Sequence, residues 1–226
     1  METSYQPSAE NIALFWQSPA TLAHFAALEM ALRNGVHLQR AHPDHYSLVG
    51  YLERHKNELN NHFETVYGWR LAHGGSQQER YYFLAPVVGE GARVPQAYRK
   101  EFSPEHVIVA LLLCKISLMD FQISEFKSAE DLLGQLQDEY EPYRVGLFRH
   151  LAHVKGETET TPDEKKVVGW LVRCFKEFKQ LGWLYEHPDG TLEVMPSLDR
   201  IREMYESEIK NLPSRYTPAA TTPPAA

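Results

Sequence analysis

The sequence predicts a mostly α-helical (α+β) protein with small β-hairpins, built from two winged-helix domains in tandem. The first observation is that each half of the chain shows helical apolar spacing and then changes to strand-like spacing around glycines. The second is that 226 residues, 43% of them hydrophobic, suffice for one or two packed cores. We divide the chain into a flexible N-terminus (1–18), a first domain (19–98), a second domain (99–211) and a disordered tail (212–226).

Two helices are predicted at the start of the first domain. Ser18 followed by Pro19 is a typical helix start, and Asn34 with Gly35 ends the first helix in a left-handed cap. Asp44 is placed to cap a second helix. One side of that helix carries the residues Leu48, Tyr51, Leu52, His55, Leu59 and Phe63.

A hairpin is predicted after these helices. Residues 69–71 and 81–84 are short apolar runs, and the glycines of 74–76 supply a turn between them. Pro86 ends the second strand, because proline cannot continue to donate to a ladder of hydrogen bonds. Residues 88–98 contain Gly and Pro and are predicted to form a connector.

The second half repeats this order, beginning with two helices. Residues 103–104 are again Ser-Pro, and the helix that follows has apolar residues nearly all round its axis over 107–119, which predicts a buried, central helix. Ser128 opens the next helix, with Asp131 in place of the usual Glu or Gln of a capping box. The acidic stretch 138–141 is interpreted as a solvated loop.

A third helix in this half has the clearest start. Thr161 is the predicted N-cap, Pro162 the first helical residue and Glu164 the third, and Gly182 ends the helix. Its apolar face consists of Val167, Leu171, Cys174, Phe175, Phe178 and Leu181.

The third helix leads into a second hairpin and a last helix. Residues 183–186 and 191–194 flank an Asp-Gly turn at 189–190, which is a strong hairpin signal. A final helix is predicted over 196–212. In both halves, helices followed by a two-stranded hairpin give the winged-helix plan, which fixes a fold and leaves the function open.

Composition limits the function classes. The formal net charge is −7 and the pI about 5.9, so the chain is poorly suited to hold DNA alone, and DNA contact requires a local basic patch or a partner. The N-terminus has no signal-peptide pattern, and the apolar run 107–114 is too short to span a bilayer. We expect a cytoplasmic protein that does not contact a membrane.

Sequence motifs for catalysis, metals and cofactors are missing. Cys114 and Cys174 lie in apolar helical runs without a CxxC motif and are interpreted as buried residues in a reducing compartment. Two histidine pairs have i,i+3 spacing but lack further ligands: His42 with His45, and His150 with His153. Phosphate-binding glycine loops and nucleophile elbows are also missing. We therefore predict no catalytic residue, no metal and no cofactor.

The strongest candidate site is a basic stripe on the third helix. The candidate DNA-binding residues are Lys165, Lys166, Arg173, Lys176 and Lys179. The helix before the hairpin is the one that enters a DNA groove in such folds, so these cations are suited to hold phosphates without reading sequence. The alternative is that they form only the solvent-facing side of an amphipathic helix. Glu177 interrupts the stripe and favours that alternative.

Four segments resemble the MukE family of bacterial condensin subunits, and its relative MksE most closely. They are LEMALRNGVHL (28–38), YYFLAP (81–86), PEHVIVALLLCKISLM (104–119) and FKEFKQLGWLYE (175–186). Their order and separation match the family over about residues 20–200. None of the four is a catalytic signature, so the resemblance is specific only when the segments are taken together.

The resemblance implies a set of partners. Proteins of this family are tandem winged-helix subunits that form homodimers and bind the kleisin, here an MksF- or MukF-like protein. Through the kleisin they join an SMC-type, MksB- or MukB-like ATPase that organises and segregates chromosomes or acts against plasmids. This implies a nucleoid-associated, non-catalytic protein with weak, non-specific DNA binding. It indicates no residues for the kleisin-binding surface.

Two other classes of function stay open. A stand-alone winged-helix transcription regulator would bind specific DNA by itself as a dimer on half-sites. An enzyme would need a convergent set of polar residues, and metal or nucleotide binding would then stabilise the folded chain.

Overall fold

The computed structural model describes residues 9–86, 102–120, 123–156 and 163–210. The predicted connector at 88–98 and the tail at 212–226 lie outside the described residues. The chain divides into two compact units. Unit 1 consists of Met1–Glu101, Gln180–Trp183 and Met195–Ser197, and unit 2 consists of Phe102–Lys179, Leu184–Val194 and Leu198–Ala226.

The first half of the chain forms four α-helices and three strands within its described residues. They are α1 (Ala9–Gln17), α2 (Pro19–Arg33), β1 (Leu38–Gln39), α3 (Tyr46–Arg54), α4 (Lys56–Tyr67), β2 (Trp69–Gly74) and β3 (Tyr81–Pro86). A 3-10 turn over Pro43–His45 precedes α3. The predicted start of α2 is confirmed, because the Ser18 hydroxyl accepts a hydrogen bond from the Thr21 backbone N–H at 3.1 Å.

Helix α1 lies within the stretch that the sequence suggests is a flexible N-terminus. Its residue Phe15 is buried in the core of unit 1. Trp16 packs edge-on against Phe25 of α2, with ring centroids 4.7 Å apart. The packing of Phe15 and Trp16 explains why this stretch differs from the prediction, because it favours an ordered helix over a flexible terminus.

The single helix predicted after Asp44 is two helices. The chain leaves helical geometry at His55, where φ is −119° and ψ is 27°, and this residue separates α3 from α4. Asp44 lies in the 3-10 turn and His45 occupies the cap position of α3 without a side-chain cap bond, so the predicted capping role of Asp44 is wrong. The predicted apolar side is nevertheless the core side, since Leu52 and Leu59 are both fully buried.

The strands of the first half form one antiparallel sheet in the order β1-β3-β2. The predicted hairpin is confirmed, with Leu71 of β2 opposite Leu84 of β3. The short strand β1 pairs with the edge of β3 that faces away from β2, placing Leu38 opposite Tyr82. The sheet and helices α2 to α4 enclose a core that includes Leu28, Leu32, Leu38, Tyr51, Leu52, Leu59, Phe63 and Leu71.

The second half forms five α-helices and three strands within its described residues. They are α5 (Pro104–Leu113), β4 (Glu125–Phe126), α6 (Ala129–Glu139), α7 (Glu141–Val154), α8 (Glu164–Leu181), β5 (Leu184–Glu186), β6 (Leu192–Val194) and α9 (Asp199–Lys210). A π-helical turn over Cys114–Met119 extends α5, and a 3-10 turn over Pro196–Leu198 precedes α9. The sheet is antiparallel in the order β4-β6-β5.

Two expectations for this half are corrected. The acidic stretch 138–141 is helical, since Asp138 lies in α6 and Glu141 begins α7. Helix α8 begins at Glu164, and its cap is Asp163, whose carboxylate accepts a hydrogen bond from the Lys165 backbone N–H at 3.1 Å. Residues 161–162, where the sequence places the cap, lie outside the described residues.

Both halves follow the same plan, and this confirms the predicted fold. In each, a helix leads to a two-residue strand, then to further helices, then to a hairpin whose second strand lies in the middle of the sheet. The fold is therefore mostly helical with small antiparallel sheets, arranged as tandem winged helices. In the described part of the chain, none of the helices combines the length and apolar character needed to cross a membrane.

Candidate nucleic-acid interface

Helix α8 presents one apolar face to the core and one charged face to solvent. Its buried residues are Val167, Trp170, Leu171, Cys174, Phe175, Phe178 and Leu181. Phe175 packs against Phe126 of β4 at a centroid distance of 5.1 Å, and Phe178 packs against His106 of α5 at 6.0 Å. These contacts fix the rotation of α8, and they fix which of its residues face outward.

The predicted stripe lies on that outward side. Lys165, Lys166, Arg173 and Lys176 are exposed. At 100° per residue, all five candidate cations fall within about 140° of arc, and at 1.5 Å rise they extend over about 20 Å. Lys179 is half-buried, and its ammonium lies 2.5 Å from the Glu186 carboxylate of β5, which offsets part of its charge.

Acidic groups limit the local positive charge on α8. Asp163 and Glu164 are exposed at its N-terminal end, and Glu177 is half-buried between Arg173 and Lys179 in sequence. Glu164 lies 3.6 Å from the Arg144 guanidinium. The stripe can hold a few phosphates by charge, but it offers no dense positive field.

The two cysteines lie in buried positions that favour the protonated thiol. Both are free and buried. Burial raises the pKa of Cys174 to about 12 and also raises the pKa of Cys114, whose thiol donates to the Leu198 carbonyl oxygen at 3.3 Å. Thiols held protonated in this way do not react as thiolates.

The histidine pair at 42 and 45 is a packing feature of unit 1. The His42 and His45 rings stack with centroids 3.9 Å apart and an interplanar angle of 11°. Burial lowers the pKa of His42, while burial and the neighbouring His42 ring lower the pKa of His45 to about 3. Both rings are therefore neutral near pH 7. The described residues contain no group of three or more His, Cys, Asp or Glu arranged to hold a metal ion.

A second group of cations, which no sequence pattern predicted, lies in unit 1. Arg40, Lys56 and Arg80 line one open cavity of about 610 Å³. They come from three different segments of the chain, so helical or strand-like spacing gives no sign of them. The signal that could have found them is the predicted hairpin, because a winged-helix hairpin returns close to the helix that precedes it.

The chain is similar to one protein family and to a solved structure. Residues 23–205 match the family model described as condensin complex protein MksE. No curated protein matches the chain. Among solved structures, one similar chain comes from the "Nse1-Nse3-Nse4 complex", with 15% sequence identity and a TM-score of 0.31 over 93% of this chain and 98% of that chain. This structural likeness is too distant to support an inference about function.

Proposed function

Since the chain belongs to the MksE family of condensin complex proteins, we propose that it is a kleisin-binding subunit of a bacterial condensin and helps the complex engage DNA. The observation that carries the proposal is the extent of the family match. Residues 23–205 include most of α2 at one end and most of α9 at the other, so the match covers both winged-helix plans. In this role the chain does no chemistry itself and reaches the MksB- or MukB-like ATPase through an MksF- or MukF-like kleisin.

The electrostatics support a secondary role in holding DNA. The net charge of −7 opposes independent binding, because phosphate neutralisation by Lys and Arg dominates such affinity. The exposed cations Lys165, Lys166, Arg173 and Lys176 on α8 supply local positive charge on the helix before the hairpin. We infer weak DNA contacts without sequence preference, which add to those of the assembled homodimeric complex at the nucleoid.

Affinity purification of the tagged protein from its own cells tests the proposal. We expect a kleisin-like protein and a large coiled-coil ATPase to co-purify in comparable amounts after nuclease treatment, which removes partners bridged only by DNA. An untagged strain is the control. Whether the complex serves chromosome segregation or plasmid defence is then decided by deleting the gene and scoring both phenotypes.

The alternative function is a stand-alone winged-helix transcription regulator. The exposed cations on α8 favour it, because a groove-reading helix needs such residues. Purification of a dimer carrying only DNA fragments, with neither kleisin nor ATPase, would support this alternative and contradict the condensin proposal.

A further inference from the structure

An open basic surface lies on unit 1, beside the tip of the first hairpin. Arg40, Lys56 and Arg80 line a cavity of about 610 Å³. Gln77 and Gln78, both exposed in the hairpin turn, line it as well. The residues that line the cavity therefore carry guanidinium, ammonium and amide donors.

Three elements bring these groups together. Arg40 directly follows β1, Lys56 is the first residue of α4, and Arg80 directly precedes β3. The pairing of β1 with β3 sets Gln39 opposite Tyr81, and this brings Arg40 to the side of Arg80. The surface is thus a product of the sheet order and of the break between α3 and α4.

Glu53 is the acidic residue that lines this cavity. Its carboxylate accepts a hydrogen bond from Arg40 Nε at 3.2 Å and another from the Tyr82 hydroxyl at 3.0 Å. It neutralises part of the charge of Arg40 and holds that side chain in place. Neither Lys56 nor Arg80 has an ion pair with an acidic group among the residues that the structure describes. The charge of Arg80 nevertheless helps Arg40 and Tyr82 to lower the pKa of Glu53.

A second open cavity of about 490 Å³ continues the surface. It shares Arg40 and Glu53 with the first cavity and adds Arg54, which is exposed. The four cations and one carboxylate of the two cavities give a formal local charge of +3 (4 − 1 = 3), in a chain whose net charge is −7. We name these residues the wing surface: Arg40, Glu53, Arg54, Lys56, Gln77, Gln78 and Arg80.

The wing surface has the chemistry of a phosphate-binding site. Arg and Lys donate charge-assisted hydrogen bonds to phosphate oxygens, and amides add neutral donors. Lys56 is at the N-terminus of α4, whose cap residue His55 makes no side-chain cap bond, so the positive end of the helix dipole adds to the field. Four cations spread over two adjoining cavities match a run of phosphates better than a single small anion.

We propose that the wing surface binds the sugar–phosphate backbone of duplex DNA and provides the DNA contact of unit 1. This inference rests on the DNA-engaging part of the proposed function and is independent of kleisin binding. It makes Lys56 and Arg80 positioning contacts that hold a duplex without reading its sequence.

The test uses the full chain assembled with its kleisin and a fluorescent duplex of mixed sequence, with affinity measured by anisotropy across a salt series. We expect Lys56→Glu with Arg80→Glu to weaken binding roughly tenfold or more. Log affinity should also fall less steeply with log salt, the magnitude of the negative slope decreasing by about 2. The charge-matched control is Lys127→Glu with Arg149→Glu, which changes two exposed cations outside both candidate surfaces and should leave the slope unchanged. The neutral pair Lys56→Gln with Arg80→Gln should lie between wild type and the charge reversal.

Three outcomes would overturn the inference. Equal affinity of the Lys56/Arg80 and Lys127/Arg149 variants would remove the wing surface as a DNA contact while leaving the DNA role intact. Loss of kleisin co-elution with the Lys56/Arg80 variant would indicate that an acidic protein segment occupies the surface. No DNA binding by the unaltered complex at low salt would contradict the DNA-engaging part of the proposed function itself. Circular dichroism of each variant shows that it is folded.

Discussion

Gly182 is the residue on which the end of α8 depends. Its φ is +74°, a left-handed conformation in which a side chain is strained. A Cβ at this position would lie 2.9 Å from the His37 carbonyl oxygen. The Gly182 carbonyl oxygen also accepts hydrogen bonds from Gln39 Nε2 at 2.5 Å and from the Ser197 hydroxyl at 2.8 Å, so the backbone cannot shift without losing buried bonds.

A pair of glycine substitutions separates the cost of the left-handed backbone from the cost of the steric clash. Gly190 has a similar φ of +85°, but a Cβ there would meet nothing within 4 Å. We expect Gly190→Ala to lower the free energy of unfolding by about 1 kcal/mol, the cost of the left-handed backbone alone. Gly182→Ala should cost roughly 2–4 kcal/mol, because the clash with the His37 carbonyl is added. Urea titrations followed by circular dichroism measure both, and equal losses would contradict this account.

The role of Gly182 could be predicted only in part from the sequence. A glycine after an apolar helical run predicts a helix end, because local backbone preference determines it. The contact with His37 depends on two segments far apart in the chain, and no local pattern carries that information. The same limit applies to Gln39, which is fully buried and bonds to Gly182 and Ser197.

At the scale of elements, an ion pair joins the start of α5 to the end of α7. The Lys155 ammonium contacts the Glu105 carboxylate, whose side chain is 16% exposed. Burial acts to raise the pKa of Glu105, but hydrogen bonds from Lys155, from the backbone N–H of Glu105 and from Ser103 outweigh it and lower the pKa to about 2. The ionised form of Glu105 therefore stabilises the fold.

This shift predicts a pH-dependent stability. The folded-state pKa of Glu105 lies below its ordinary value of 4.5, so its stabilisation is complete above about pH 4.5 and is lost as pH falls towards 2. We expect the free energy of unfolding of the wild type to exceed that of Glu105→Gln by about 1–3 kcal/mol at pH 6. This difference should shrink steadily on acidification. Glu130→Gln is the matched control, since Glu130 is an exposed carboxylate in the first turn of α6. A difference that stays constant from pH 6 to pH 2.5 in urea titrations would refute the assignment.

Elements with strong local signals could be predicted from the sequence, and elements defined by distant pairing could not. The Ser18-Pro19 start of α2 and the Asp189-Gly190 turn are local and appear where expected. Strands β1 and β4 have two residues each and exist only because β3 and β6 pair with them. The break at His55 also escaped prediction, because apolar spacing continues through it.

At the scale of the whole molecule, an acidic chain carries two local basic regions of different origin. The α8 stripe follows one helical face, so spacing alone identified its residues, and four of the five are exposed. The wing surface combines the residue after β1, the end of α3, the start of α4 and the first hairpin, and it becomes visible only in the folded unit. A sequence can therefore reveal a charged face of one element, while a surface shared by several elements requires the fold.

The α8 stripe is predicted to contribute to DNA retention by the assembled complex. We expect Arg173→Glu with Lys176→Glu to weaken retention in gel shifts at low salt, because two exposed cations become repulsive to phosphate. The magnitude of the negative slope of log affinity against log salt should decrease by about 2. Lys127→Glu with Arg149→Glu again serves as the control for the change in net charge. Retention equal to that of the control would mean that Arg173 and Lys176 form only the solvent-facing side of α8. Weakened retention with unchanged kleisin binding would instead separate DNA contact on α8 from assembly of the complex.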